Sequence, residues 1–117
     1  MLHMSIPLDL TFRDMEPSDA VTAAVRASLD RLGTHCARVQ RCEVVIERPH
    51  HSKRHGQPFH VRLELSVPDR VISVVRDPGD EATHNNVYTA IHDAFHAARR
   101  QVDDYMQILR GEVKRHA

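Results

Sequence analysis

Apolar positions recur along this chain with two distinct periods. Between residues 5 and 13 the period is two: Ile6, Leu8, Leu10 and Phe12 fall on one side, Pro7, Asp9, Thr11 and Arg13 on the other. That is the pattern of a half-buried strand. Pro7 has no backbone N–H, so the strand lies at a sheet edge or begins late. The period then lengthens. Ser18 is placed to cap a helix, with Asp19 complementing the dipole. Val21, Ala24, Val25, Ser28, Leu29 and Leu32 follow at helical spacing, and Gly33 is the expected stop.

Alternation resumes over about 38–48, with Cys42, Val44 and Ile46 on one face, and again over about 58–67. There Phe59, Val61, Leu63, Leu65 and Val67 oppose His60, Arg62, Glu64 and Ser66. Pro68-Asp69 predicts a tight hairpin into a fourth strand near 70–76. Its parity is open, because Ile72/Val74 and Val71/Val75 compete for the core. After Asp77-Pro78-Gly79 and a polar connection, a helix is predicted from about Asn86 to Arg110. Its apolar stripe is Val87, Ile91, Ala94, Phe95, Ala98, Val102, Tyr105, Met106 and Leu109, and Gly111 closes it.

The order is β-α-β-β-β-α. A crossover makes the first two strands parallel neighbours, and the last three form an antiparallel meander. With one apolar sheet face, both helices belong on that face and the other stays wet. The expectation is an α+β two-layer fold, a four-stranded mixed sheet under two helices, like a double-stranded-RNA-binding domain.

At 117 residues the chain is one domain's length. Two cysteines, Cys36 and Cys42, make no disulfide framework. The N-terminus has no basic region of the signal-peptide kind, and no apolar run approaches a membrane span. The expectation is a cytoplasmic protein with no membrane partner. The four glycines are isolated, so no phosphate-binding Gly-rich loop can be built. No nucleophile, base and orienting group stand together, so neither catalysis, a cofactor nor a small-molecule substrate is expected.

Sixteen basic residues balance sixteen acidic ones, so any positive surface must come from local segregation. Two segments segregate charge. The first is RPHHSKRHGQPFHVR, where Arg48, Lys53, Arg54 and Arg62 are interleaved with His50, His51, His55 and His60 and no acid interrupts. A cationic hairpin loop suits phosphate contact; a solvated hairpin tip is the plain alternative. The second is one flank of the long helix, where His92, His96, Arg99, Asp103 and Arg110 cluster beside the stripe and Arg100 lies on the outer face. Fourteen of the sixteen cations are arginine, whose planar fork matches phosphate oxygens. The structural alternative there is i,i+4 pairing of Arg99 with Asp103 and Arg100 with Asp104.

Ten histidines raise a further possibility. His92 and His96 stand at ligand spacing on one helix, and His50, His51 and His55 could chelate, although no HExxH motif is present. With five aromatics, most facing inward, a single-strand stacking sheet of the RRM kind is disfavoured.

Three stretches resemble one known family: CEVVIERPHHSKRHGQPFHVRLELSVP, VYTAIHDAFHAARRQVDDY, and the leading strand followed by SDAVTAAVRASLDRL. The family is that of ribosome hibernation-promoting factors and ribosome-associated translation inhibitors, also labelled sigma-54 modulation proteins. The likeness extends over about residues 3–115. It implies a non-enzymatic, single-domain translation inhibitor whose partner is the small ribosomal subunit and its rRNA. Such proteins occupy the channel shared by messenger RNA and transfer RNA when growth slows. The chain stops after GEVKRHA, which resembles a short form. Residue by residue, the resemblance assigns rRNA contacts to Arg99 and Arg100 of the ARRQ segment and to Arg26 and Arg31 on the first helix. Arg110, Lys114 and Arg115 extend the basic end. Relatives often carry lysine where this chain has Asp103 and Asp104. That departure, with the neutral net charge, supports a rival reading: a protein-interaction regulator of the same fold with weak RNA affinity. A histidine-based metal-binding protein is the third reading. The oligomeric state is expected to be a monomer or weak dimer.

Overall fold

The computed structural model describes residues 5–48, 59–76 and 86–111. Their elements run β1 (Leu8–Arg13), α1 (Asp19–His35), β2 (Arg41–Glu47), β3 (His60–Val67), β4 (Arg70–Arg76) and α2 (Val87–Leu109). The four strands form one sheet in the order β1-β2-β3-β4. β1 pairs parallel with β2, setting Leu10 beside Val44 and Phe12 beside Ile46. The β2–β3 and β3–β4 pairs are antiparallel. The architecture is the expected α+β one.

Each element starts where local chemistry dictates. β1 begins after Pro7, whose carbonyl still accepts from the Cys42 N–H at 3.0 Å. The Ser18 hydroxyl accepts from the Val21 N–H at 3.1 Å and so caps α1. Asp69 takes a positive φ of 75° in the β3–β4 turn, a conformation that Asp tolerates better than most residues. Asn86 caps α2 by accepting from the N–H groups of Tyr88 and Thr89 at 2.8 and 3.3 Å. Gly111, at φ 74°, follows the last turn of α2, the left-handed position where glycine costs least.

The core lies between one sheet face and the two helices. Val25 and Leu29 of α1, Cys42, Val44 and Ile46 of β2, Val61, Leu63 and Leu65 of β3, and Ile91, Ala94, Ala98 and Val102 of α2 are essentially inaccessible to solvent. Burial pushes the Cys42 thiol up to about 12, with the Arg26 charge partly opposing the shift. The outer sheet face neutralises itself in part, since Arg41 pairs with Asp9 across the β1–β2 ladder and with Glu43 at 3.3 Å.

Three expectations change, and one open point closes. Gly33 does not end α1, which continues to His35 with Cys36 as its C-cap. Gly33 is instead a contact point: a Cβ there would lie 2.5 Å from Ile6 Cδ1, so glycine lets the segment before β1 close onto the helix. The second strand is shorter than 38–48, because Val39 and Gln40 lead into it without joining it. Leu109 is 45% exposed and leaves the stripe, whereas Ala90 and Ala97 join the buried face. The parity of β4 resolves: Ile72 and Val74 turn inward, while Val71 and Val75 are 57% and 49% exposed. β4 is an edge strand. Gln101 of α2 reaches over that edge, its Nε2 donating to the Ser73 carbonyl at 3.2 Å. Residues 77–79, the predicted breaker, lie outside the described residues.

Candidate nucleic-acid interface

α1 and α2 pack side by side on the sheet and leave a groove of about 400 Å³ between them. Its α1 wall carries Ser28, Arg31 and Leu32. Its α2 wall carries His92, Phe95, His96, Arg99, Arg100 and Asp103. Leu32 and Phe95 are buried and form an apolar floor, with the polar groups at the rim. Helical spacing explains the walls. His92, His96, Arg99 and Asp103 succeed one another by three or four residues and therefore share a face, as do Ser28 and Arg31.

The rim is not paired as the i,i+4 alternative requires. Asp103 Oδ1 lies 2.5 Å from His35 Nε2, a contact between the helices. Among the described residues Arg99 and Arg100 make no ion pair, and the Arg31 guanidinium donates only to the Ser28 hydroxyl, at 3.3 Å. Three arginines thus converge on one concave surface whose carboxylate, Asp103, is held by His35 rather than by any of them. Arg100 is not confined to the outer face: it borders both this groove and the cleft between α2 and β4. The imidazoles of His92 and His96 stack, their centroids 6.2 Å apart and their planes 9° from parallel. Among the described residues no three His, Cys, Asp or Glu side chains gather as a metal site.

The remaining sequence candidates stand elsewhere. Arg26 is on the β1 side of α1, where it donates to the Ile6 carbonyl at 3.0 Å and pairs with Asp30 at 3.3 Å. It fixes the segment before β1 rather than joining the groove. The Arg48 guanidinium lies 5.1 Å from the centre of the Phe59 ring. Arg62 belongs to the solvent side of the sheet, in register between Val45 and Val75. Arg110 is the C-cap of α2. Lys53, Arg54, His50, His51 and His55 lie outside the described residues, as do Lys114 and Arg115. Two residues escaped the sequence reading, Ser28 as a polar group lining the groove and His35 as the partner of Asp103. The spacing of Ser28, Arg31 and His35 along one face of α1 was the available signal.

A family model described as sigma 54 modulation protein / S30EA ribosomal protein matches residues 8–110. Among solved structures, the N-terminal domain of Protein Y from Thermus thermophilus superposes with a TM-score of 0.65 at 22% identity, covering 87% of this chain and 99% of that one. A ribosomal subunit interface protein from Coxiella burnetii superposes with a TM-score of 0.69 at 12% identity, covering 86% and 98%. At these identities the likeness establishes the fold. No curated protein sequence matches the chain. No helix among the described residues is long and apolar enough to cross a membrane.

Proposed function

Because this chain belongs to the sigma 54 modulation protein / S30EA ribosomal protein family, we propose that it binds the ribosome through rRNA phosphates, with the α1–α2 groove as the contact surface. It acts by filling space, without chemistry. Its seat is the channel of the small subunit shared by messenger RNA and transfer RNA, where a bound domain blocks translation in resting cells.

The observation that supports this most is the state of the groove arginines. Arg31, Arg99 and Arg100 line one surface, and none is bound to a carboxylate among the described residues. Asp103, the groove's carboxylate, is engaged by His35. A chain of zero net charge can present a local positive potential when its cations are gathered and its anions are paired elsewhere. Planar guanidinium groups in such a surface match phosphate oxygens.

The test is co-sedimentation with ribosomes across a salt series. Binding that releases counterions weakens steeply as salt rises. A flat response would favour the second reading, a protein partner, for which exposed Val71 and Val75 on the outer sheet face provide an apolar surface.

A further inference from the structure

We propose that the α1–α2 groove holds one unpaired nucleotide, with its phosphate on the arginines and its base against the paired imidazoles of His92 and His96. This deepens the ribosome-binding reading and rests on it.

Shape is the first reason. A track for duplex backbone needs cations spread along a surface, whereas here they surround a concavity of about 400 Å³. That lies within the roughly 300–1,000 Å³ typical of sites for small molecules and cofactors. Ring geometry is the second. Two near-parallel aromatic rings on an exposed helix face offer a platform for a flat π-system, and the His92 side chain is 76% exposed. The rings lie 9° from parallel with centroids 6.2 Å apart, so a base laid flat on the exposed face of one extends the same stack.

Placement is the third reason. Arg99 follows His96 by three residues, so a base on His96 has its phosphate within reach of the Arg99 guanidinium, with Arg31 facing it from α1. Leu32 and Phe95 underlie the ribose and base with apolar surface. A base held in a helix duplex has both faces covered, so the groove selects a base that is free to leave its stack. An unpaired residue of RNA and a free nucleoside phosphate carry the same recognition chemistry.

The experiment titrates the full chain with adenosine 5′-monophosphate, ribose 5-phosphate, a single strand of about twelve nucleotides and the blunt duplex of that strand with its complement. Histidine ring resonances and fluorescence anisotropy report binding. Adenosine 5′-monophosphate should bind about tenfold more tightly than ribose 5-phosphate, the scale of one base stack. The double variant His92→Ala/His96→Ala should erase that difference while its circular dichroism stays unchanged, since both side chains stand at the groove rim. Single strand should bind more tightly than duplex. A single strand that binds at least tenfold better than the mononucleotide assigns the groove to RNA; equal affinities assign it to free nucleotides. Equal binding of adenosine 5′-monophosphate and ribose 5-phosphate, or an unchanged double variant, overturns the proposal. Ribosome pelleting separates the two readings. A chain that pellets but shows no preference for the base loses only the nucleotide site. A chain that shows the preference but does not pellet keeps the site and loses the ribosome.

Discussion

Asp103 is bound to His35, which is 68 positions away in sequence, and not to Arg99 one turn before it. The contact ties the last turn of α1 to the C-terminal half of α2 and leaves Arg99 without a carboxylate. Removing His35 should free Asp103 for Arg99, which stands one turn before it. His35→Ala should lower ribosome affinity several-fold, while Asp103→Asn should raise it at low salt. Both side chains are part-exposed, so the stability cost of either change should be under about 1 kcal/mol in urea titration. Equal ribosome affinity in both variants would show that the contact has no bearing on the groove.

Arg99→Glu with Arg100→Glu reverses two of the three groove cations. Pelleting with ribosomes should be lost, and thermal unfolding should stay within a few degrees of the parent chain, because both side chains stand outside the core. Normal pelleting would place the contact surface elsewhere on the molecule.

The tight approach at Gly33 gives a stability test. Alanine is worth up to about 1 kcal/mol more than glycine inside a helix, but a Cβ here meets Ile6 Cδ1 at 2.5 Å. Gly33→Ala alone should therefore be close to neutral. In an Ile6→Val background the obstructing methyl is gone and the nearest remaining contact is an ordinary 3.5 Å. The same substitution should then stabilise. Gly33→Val should cost about 1–3 kcal/mol in either background, as overpacking does. Denaturant midpoints for the set decide the matter.

Cys42 gives the pH prediction. Its thiol releases a proton near 9.0 when unperturbed and at about 12 in the folded protein. Between those values the folded state binds the proton more tightly, so stability is unaffected below about pH 9 and falls as pH rises toward 12. Cys42→Ala should lower stability at neutral pH by opening a small cavity, yet flatten the alkaline decline. The native thiol should also react with a thiol reagent only as fast as the chain unfolds, since Cys42 is fully buried.

Most of the fold is legible because alternation leaves no choice in β2 and β3. In β3, a slip of one residue would turn Val61, Leu63, Leu65 and Val67 out to solvent. In β4 the code fails, since Val71, Ile72, Val74 and Val75 are apolar on both faces, and only the position of α2 over one face decides. Gly33 misleads because a glycine near a helix end is usually a stop, and its neighbour Ile6 is distant in sequence. The groove was half legible. The α2 wall follows from one helical wheel, but the second wall and the fate of Asp103 depend on how two helices pack, which no local pattern encodes.

Gln101 carries a consequence for how these chains behave in company. An edge strand with exposed valines is a template on which another chain can grow as a fifth strand. Here the outward Ser73 carbonyl is already occupied by the Gln101 side chain. A strand arriving beside β4 must displace that bond, worth about 1 kcal/mol, and push past α2 before its own ladder begins. The helix that forms one wall of the groove thereby also encumbers the β4 edge, one of the sheet's two edges, and Gln101→Ala should leave the fold intact but shorten the lag before aggregation in a concentrated solution.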